Sequence, residues 1–163
     1  MKIKLEKLSN LSKMFTSNLR QIDKTPLFFL ADDDADDQEL FKEALSEIDK
    51  SIRCLTASSG EEALNKLKTD LKQLPDYIFL DLNMPRMNGL ECLVEIKKTN
   101  TLKHIPVIIY STSSAEKDVE ETRKLGADYF ITKPPGFKEL CDKIKYILSG
   151  KWTHENSQPD YQS

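Results

Sequence analysis

The sequence predicts an α/β protein built on a doubly wound parallel sheet of five strands. Five short apolar runs alternate strictly with segments of helical character. Such alternation is typical of strand–helix pairs with right-handed crossovers, which cover both faces of a parallel sheet with helices. In sheets of this kind, ligands bind beyond the carboxyl ends of the strands. Four of the five runs here end in charged or hydroxyl-bearing residues.

The predicted elements occupy residues 25–149. Apolar runs predict strands at residues 27–31, 77–80, 107–110 and 129–131, and residues 52–57 are also strand-like. Apolar residues recur at helical spacing within residues 40–48, 63–71, 90–96 and 140–148. A fifth helix is predicted over residues 114–125, although this segment carries few apolar residues. Ser59, followed three residues later by Glu62, is typical of a helix N-terminus.

Composition and charge exclude several classes of protein. The chain has 163 residues, of which 39% are hydrophobic and 31% charged, as expected for one globular domain. A formal net charge of −3 provides no general field for nucleic acid. No stretch approaches the roughly 18 apolar residues of a membrane span. The three cysteines show no metal-binding spacing, so we expect reduced thiols and a cytoplasmic protein. From the net charge and the absence of a long apolar stretch, we expect no nucleic-acid or membrane partner.

The two ends of the chain differ from the predicted domain. Residues 1–24 carry six basic and two acidic side chains, and their apolar residues recur at gaps of three and four. We interpret this segment as a basic N-terminal extension that forms an appended helix. A helix that binds a partner or dimerises, and a natural translation start at Met14, are the alternatives. Residues 150–163 are polar and are predicted to form a flexible C-terminal tail.

The residues that follow the predicted strands suggest a reactive site. Asp32, Asp33 and Asp34 follow the first strand, Asp81 the third, Ser111 the fourth, and Lys133 comes shortly after the fifth. A single acidic run would be an ordinary solvated turn or helix cap, so the joint placement carries the prediction. Converging carboxylates repel one another unless a cation is present, and Mg²⁺ prefers oxygen ligands. A carboxylate can also act as a nucleophile toward phosphorus.

These motifs resemble the receiver domain of two-component response regulators. The resemblance covers residues 26–148 and implies a flavodoxin-like (βα)5 fold with strand order 2-1-3-4-5. It depends on Phe-Leu-Ala-Asp-Asp at 29–33, Phe-Leu-Asp-Leu-Asn-Met-Pro at 79–85, Asn-Gly at 88–89, Pro-Val-Ile-Ile-Tyr-Ser at 106–111, and Gly-Ala-Asp-Tyr-Phe-Ile-Thr-Lys-Pro at 126–134.

The resemblance implies a role for each residue at the strand ends. Asp81 is expected to be the phosphoacceptor, and Ser111 and Lys133 to bind the phosphoryl oxygens. Mg²⁺ is the expected cofactor. Its implied ligands are Asp33 and Asp81 directly, Asp32 through water, and the backbone carbonyl of Asn83.

The resemblance also implies a conformational switch. Ser111 and Phe130 are the implied switch residues, and they are expected to reshape the surface of the fourth helix, fifth strand and fifth helix (α4-β5-α5). Residues implied to tune dephosphorylation are Asn83, Thr112 and Ser113. A cis peptide bond is favoured before Pro134. The start of the last helix stays open, because Pro135 and Gly136 stand where the family usually has an aromatic residue.

The leading functional hypothesis is a single-domain response regulator in a two-component or phosphorelay pathway. It would receive phosphoryl groups from a sensor histidine kinase or a histidine phosphotransfer protein, and would signal to an unidentified protein target. It would be a signalling protein rather than an enzyme, with only self-catalysed phosphotransfer and autodephosphorylation. A homodimer through α4-β5-α5 is left open.

Two alternatives belong to other classes of protein. The first is an aspartyl-phosphate phosphatase of the haloacid-dehalogenase kind, which Asp32-x-Asp34 matches formally, although the usual following residues and a cap are absent. The second is an unphosphorylated pseudo-receiver that acts as a binding module.

Overall fold

The computed structural model describes residues 25–70 and 72–152. The predicted helix within residues 1–24, and residues 153–163 of the predicted tail, lie outside the described residues. The strands are β1 (Leu27–Ala31), β2 (Arg53–Ala57), β3 (Tyr77–Leu80), β4 (Val107–Ser111) and β5 (Tyr129–Thr132). The helices are α1 (Ala35–Ile48), α2 (Gly60–Asn65), α3 (Gly89–Lys98), α4 (Glu116–Lys124) and α5 (Phe137–Leu148).

The strands form one sheet in the order β2-β1-β3-β4-β5. Every neighbouring pair is parallel, and Leu80 of β3 lies beside Ala31 of β1 and Ile109 of β4. The predicted fold class and strand order are therefore confirmed. Because β1 and β3 are neighbours, the residues that follow them meet at the same edge of the sheet.

Both faces of the sheet are covered by helices, which explains why the three central strands, β1, β3 and β4, are almost entirely apolar. β1 is buried along its whole length, and its side chains alternate between two core clusters. Phe28 and Leu30 pack with residues of α1 and α5. Phe29 and Ala31 pack with residues of α2 and α3 on the opposite face. This alternation follows from the two-residue period of a strand between two helical layers.

The second and fourth helices differ from their predicted extents. Ser59 caps α2 as predicted, since its hydroxyl accepts from the Glu62 backbone N–H at 3.2 Å. The helix then continues as a π-helical turn, Lys66–Asp70, in place of one uninterrupted α-helix. α4 is shorter than predicted and buries only Val119 and Thr122. Its weakly apolar sequence therefore corresponds to a helix that lies largely in solvent.

The last helix begins at Phe137, directly after Gly136, which resolves the boundary that the sequence left open. Beyond it, Trp152 is only 9% exposed. Its indole N–H donates to the Ile147 carbonyl at 2.7 Å, and its ring lies beside Tyr77 and Tyr129. Trp152 therefore closes the end of α5 against the sheet.

The three cysteines are free in the structure. Cys92 and Cys141 are buried, and Cys54 is half-buried. Burial raises the pKa of Cys54 and of Cys92 to about 12, so these thiols stay protonated at neutral pH. Within the described ranges, no helix is both long and apolar enough to span a bilayer.

Candidate functional site

Three carboxylates converge at the carboxyl edge of the sheet. Asp32 and Asp33 follow β1 and Asp81 follows β3, and one oxygen from each lies within 4.8 Å of the others. Asp32 is fully buried and Asp81 is 5% exposed, whereas Asp33 is exposed. The cluster therefore opens to solvent on the side of Asp33. An all-oxygen donor set of this kind suits a hard divalent cation such as Mg²⁺, Mn²⁺ or Ca²⁺.

The turn that carries Asp33 is fixed by hydrogen bonds on both sides. Asp34 caps α1, because its side chain accepts from the backbone N–H groups of Asp36 and Asp37. The Asp32 carboxylate accepts from the Asp34 N–H at 2.9 Å, and the Gln38 side-chain amide donates to the Asp32 carbonyl at 2.6 Å. With its side chain committed to the cap, Asp34 is unsuited to act as the second carboxylate of a phosphatase motif.

Lys133 enters the site from the residue after β5. Its Nζ lies 2.7 Å from Asp32 Oδ2, 2.7 Å from Asp37 Oδ2 and 3.4 Å from Asp81 Oδ2. The same ammonium group lies 5.3 Å from the centre of the Tyr110 ring. The side chain of Lys133 is 9% exposed, so its ammonium group is largely shielded from solvent.

Burial and charge act in opposite directions on the groups of this cluster. Burial raises the pKa of Asp32, and the hydrogen bond from Lys133 only partly opposes it. Burial alone would lower the pKa of Lys133, but its bonds to Asp32 and Asp37 outweigh that effect and raise it. Burial also raises the pKa of Tyr110. At neutral pH the site therefore holds a fixed ammonium charge beside a neutral phenol.

The backbone around Asp81 is tightly packed. Its Oδ1 accepts from the Asn83 N–H at 3.3 Å, while its Oδ2 faces Lys133. Gly89, at the start of α3, donates its N–H to the Leu82 carbonyl at 3.1 Å. A Cβ atom at Gly89 would lie 2.2 Å from the Asp81 carbonyl oxygen, so only glycine allows α3 to begin this close to Asp81.

The hydroxyl residues after β4 are held by local bonds. Ser111 is fully buried, and its Oγ accepts from the Ser113 N–H at 3.3 Å. The Ser113 hydroxyl donates to the Asp118 carboxylate in α4, and Thr112 is exposed. The backbone N–H of Lys133 donates to the Ser111 carbonyl at 2.8 Å, and this bond connects the ends of β4 and β5.

The structure thus brings most of the predicted site residues to one edge of the sheet. Asp32, Asp33, Asp81 and Lys133 form one cluster, and Ser111 lies on the neighbouring strand end. Other predicted residues lie around this cluster: Asn83 is exposed next to Asp81, Thr112 and Ser113 lie in the connection to α4, and Phe130 is 8% exposed within the core.

The peptide bond between Lys133 and Pro134 is trans, so the cis bond favoured by the resemblance is wrong for this structure.

Sequence reasoning missed two residues of the site, Asp37 and Tyr110. Asp37 lies in the first turn of α1, four residues after Asp33 and three after the N-cap residue Asp34. Tyr110 directly precedes Ser111 in a strand. Its ring therefore points to the face of the sheet that α1 covers, where it packs against Phe41. The positions of Asp37 and Tyr110 can be inferred from the predicted elements, but neither position indicates Lys133 as the partner.

Comparison with known proteins identifies one family over this region. The family model described as the response regulator receiver domain matches residues 28–145. Response regulator Rcp1 of Synechocystis sp. is 32% identical over 127 residues, covering 76% of this chain and 86% of Rcp1. The transcriptional regulatory protein CpxR of Klebsiella pneumoniae is 33% identical over 129 residues, covering 79% of this chain and 52% of CpxR. The chain thus spans about half the length of CpxR.

Solved structures give the same result. The phosphorylated cyanobacterial phytochrome response regulator RcpA matches with a TM-score of 0.71 and 35% identity, covering 77% of this chain and 93% of RcpA. The Mn²⁺-bound form of Rcp1 matches with a TM-score of 0.67 and 30% identity, covering 82% of this chain and 99% of Rcp1. Receiver domains bind a divalent metal ion, and the acidic cluster of Asp32, Asp33 and Asp81 offers the oxygen ligands for one.

Proposed function

Because the chain belongs to the family of response-regulator receiver domains, which act in two-component signalling, we propose that Asp81 accepts a phosphoryl group with Mg²⁺ as the cation. One observation carries this proposal. The Asp81 carboxylate is 5% exposed and lies between two acidic neighbours, Asp32 and Asp33, and the ammonium group of Lys133, 3.4 Å away. A nucleophilic oxygen is thus held beside fixed positive charge.

The proposed reaction transfers a phosphoryl group from a donor to Asp81. An Asp81 oxygen forms a bond to phosphorus while the bond from phosphorus to the donor nitrogen or oxygen breaks. The leaving group keeps the electron pair and takes a proton from solvent. Lys133 offers an N–H to an incoming phosphoryl oxygen, and the Ser111 hydroxyl is the second proposed donor. The proposed cation ligands are Asp32, Asp33, Asp81 and the Asn83 carbonyl, and the cation offsets negative charge on the phosphoryl oxygens.

The proposed switch begins at Ser111. To donate to a phosphoryl oxygen, its hydroxyl must give up the bond that it accepts from the Ser113 N–H. The loop of Thr112 and Ser113 would move with it, and the bond from Ser113 to Asp118 connects this loop to α4. Phe130 packs in the same core cluster as Val119 of α4, so a shift of α4 would change its packing. The proposed signalling surface is therefore α4-β5-α5. We propose the same surface as the contact between subunits if the protein forms a homodimer.

The proposed phosphoryl donor is a sensor histidine kinase or a histidine phosphotransfer protein. Two similar structures are described as a cyanobacterial phytochrome response regulator and a bacteriophytochrome response regulator. A phytochrome-type sensor kinase is therefore the first donor to test, and the downstream target is a further protein. The free cysteines agree with a cytoplasmic site of action, which is part of this proposal.

Acetyl phosphate tests the proposal directly. We expect the intact mass to rise by one phosphoryl group only when Mg²⁺ is present, and Asp81→Asn to abolish the rise. Asp36→Asn is the matched control, because Asp36 is an exposed carboxylate in the first turn of α1 and should label like the wild type. Beryllofluoride, a phosphoryl mimic, should bind with the same dependence on Mg²⁺ and on Asp81.

Each other outcome has a definite meaning. Labelling that survives in Asp81→Asn would show that Asp81 is not the acceptor. Equal labelling in EDTA would exclude the cation from the reaction. If neither acetyl phosphate nor beryllofluoride modifies the wild type with Mg²⁺ present, the chain is an unphosphorylated binding module. Turnover of a phosphate ester that depends on Asp32 but not on Asp81 would indicate the phosphatase alternative.

A further inference from the structure

Lys133 makes a second short ion pair, to Asp37, that the resemblance does not assign. Its Nζ is as close to Asp37 Oδ2 as to Asp32 Oδ2, at 2.7 Å each, and farther from Asp81 Oδ2, at 3.4 Å. Asp37 is joined to Lys133 across 96 residues of sequence, so the pair depends on the tertiary fold. Its side chain is 33% exposed, against 0% for Asp32.

The geometry divides the three N–H donors of the ammonium group unequally. Two short bonds go to Asp32 and Asp37, and only the long one reaches Asp81. Asp37 is not one of the three carboxylates that converge to form the acidic cluster. Asp37 is therefore an anionic partner for Lys133 that is not also a ligand for a cation bound by that cluster.

We propose that Asp37 is a positioning residue that holds the Lys133 ammonium away from Asp81, so that the Asp81 carboxylate stays open to the divalent cation and to phosphorus. This inference rests on the proposed function of Asp81. Without Asp37, the carboxylate partners left to the ammonium group among the described residues are Asp32 and Asp81. Both belong to the acidic cluster, so Lys133 would then compete with the cation for both.

Two effects of removing Asp37 must be separated. Loss of a negative charge near the site weakens cation binding at any nearby position, whether or not Lys133 is involved. Release of Lys133 toward Asp81 acts only through the ammonium group. Asp36→Asn controls for the first effect, because Asp36 and Asp37 are both acidic residues of the first turn of α1. Lys133→Met removes the second effect altogether.

Isothermal titration of Mg²⁺ into the full chain measures the outcome. Coupling within one ion-pair network is of the order of 1 kcal/mol, so we expect Asp37→Asn to weaken Mg²⁺ binding about fivefold. Asp36→Asn should weaken it less than about twofold. In the Lys133→Met background, Asp37→Asn should have no more effect than Asp36→Asn. Asp37→Glu, which keeps the charge, should recover most of the loss.

A metal-free measurement keeps this inference separate from the proposed function. In EDTA, the NMR signal of the Lys133 side-chain ammonium should move in Asp37→Asn and stay in place in Asp36→Asn. The rate of labelling by acetyl phosphate in Asp37→Asn should fall at low Mg²⁺ and return to the wild-type rate at saturating Mg²⁺. A rate that stays low at saturation would indicate damage to the chemical step and would overturn the inference.

Two further results would overturn it. One is an equal loss of Mg²⁺ affinity in Asp37→Asn and Asp36→Asn, and the other is a full effect of Asp37→Asn in the Lys133→Met background. The proposed function can fail independently: if Asp81 is never labelled, the ammonium signal and the Mg²⁺ titration still decide the role of Asp37. Urea denaturation of each variant shows whether it is folded, and Asp37→Glu provides the test if Asp37→Asn is not.

Discussion

Replacing Lys133 with methionine should reveal the electrostatic cost of the carboxylate cluster. The side chain is 9% exposed, and its ammonium is bonded to Asp32, which is fully buried, and to Asp81, which is 5% exposed. Removing one partner of a buried ion pair costs about 3–5 kcal/mol, because it leaves the other charge unpaired. Asp33 and Asp37 admit water on one side, so we expect the lower end, a loss of about 3 kcal/mol in the free energy of unfolding at neutral pH without metal.

The loss should depend on pH in a definite direction. The pKa of Asp32 is raised by burial and is held down by the hydrogen bond from Lys133, so it should rise further in Lys133→Met. A carboxyl group whose pKa is higher in the folded than in the unfolded state binds protons preferentially when folded. The stability of the variant should therefore increase relative to the wild type as the pH falls from neutral toward the ordinary carboxyl range.

Urea denaturation in EDTA at pH 7.5 and at pH 5 provides the assay. Lys138→Met is the control, because the Lys138 side chain is 90% exposed and pairs with Asp142 on the surface of α5. We expect that control to change the free energy of unfolding by less than about 0.5 kcal/mol at both pH values. The reasoning is refuted if Lys133→Met loses less than about 1 kcal/mol at pH 7.5, or if its loss is the same at pH 5.

Two further predictions concern the framework of the site. Gly89→Ala should destabilise the fold by about 3 kcal/mol, because its Cβ would lie 2.2 Å from the Asp81 carbonyl oxygen. Gly136→Ala should cost far less in the same urea titration, because its Cβ would meet the Glu139 side chain only at ordinary contact distances, 3.7 Å to Oε1 and 3.8 Å to Cδ. Equal losses in the two variants would contradict this expectation. Trp152→Phe should cost about 1 kcal/mol by removing the bond from the indole N–H to the Ile147 carbonyl. An unchanged denaturation midpoint would show that this bond contributes nothing.

The sheet and the strand-end residues could be predicted because they depend on local patterns. Short strand-like segments of three to six residues between helical segments already indicate parallel strands, and their carboxyl ends must meet at one edge. That reasoning placed Asp81 and Lys133 on the same side of the molecule. The order of the strands came from the resemblance, since alternation alone does not say which strands are neighbours.

The residues that escaped prediction depend on long-range side-chain geometry. The three consecutive aspartates looked alike in sequence, yet Asp32 pairs with Lys133, Asp33 faces solvent and Asp34 caps α1. Asp37 reaches Lys133 from the first turn of α1, and the separation of 96 residues leaves no trace in local periodicity. The π-helical turn after α2 was also missed, since Leu67 fits the spacing of an uninterrupted α-helix.

The balance of charge explains why one lysine cannot serve this site alone. Among the described residues, the carboxylates of Asp32, Asp37 and Asp81 contact the ammonium of Lys133, and Asp33 lies beside Asp32 and Asp81. The site therefore has an excess of negative charge when all four are ionised. The proposed phosphoryl group would bring further negative charge beside Asp32 and Asp81, which are buried, so that repulsion is weakly screened. The proposed divalent cation would remove most of the excess without displacing Lys133, provided that Asp37 keeps the ammonium in place as proposed. Cation and phosphoryl group should therefore bind cooperatively. Their charges are opposite, so binding of one lowers the electrostatic cost of binding the other.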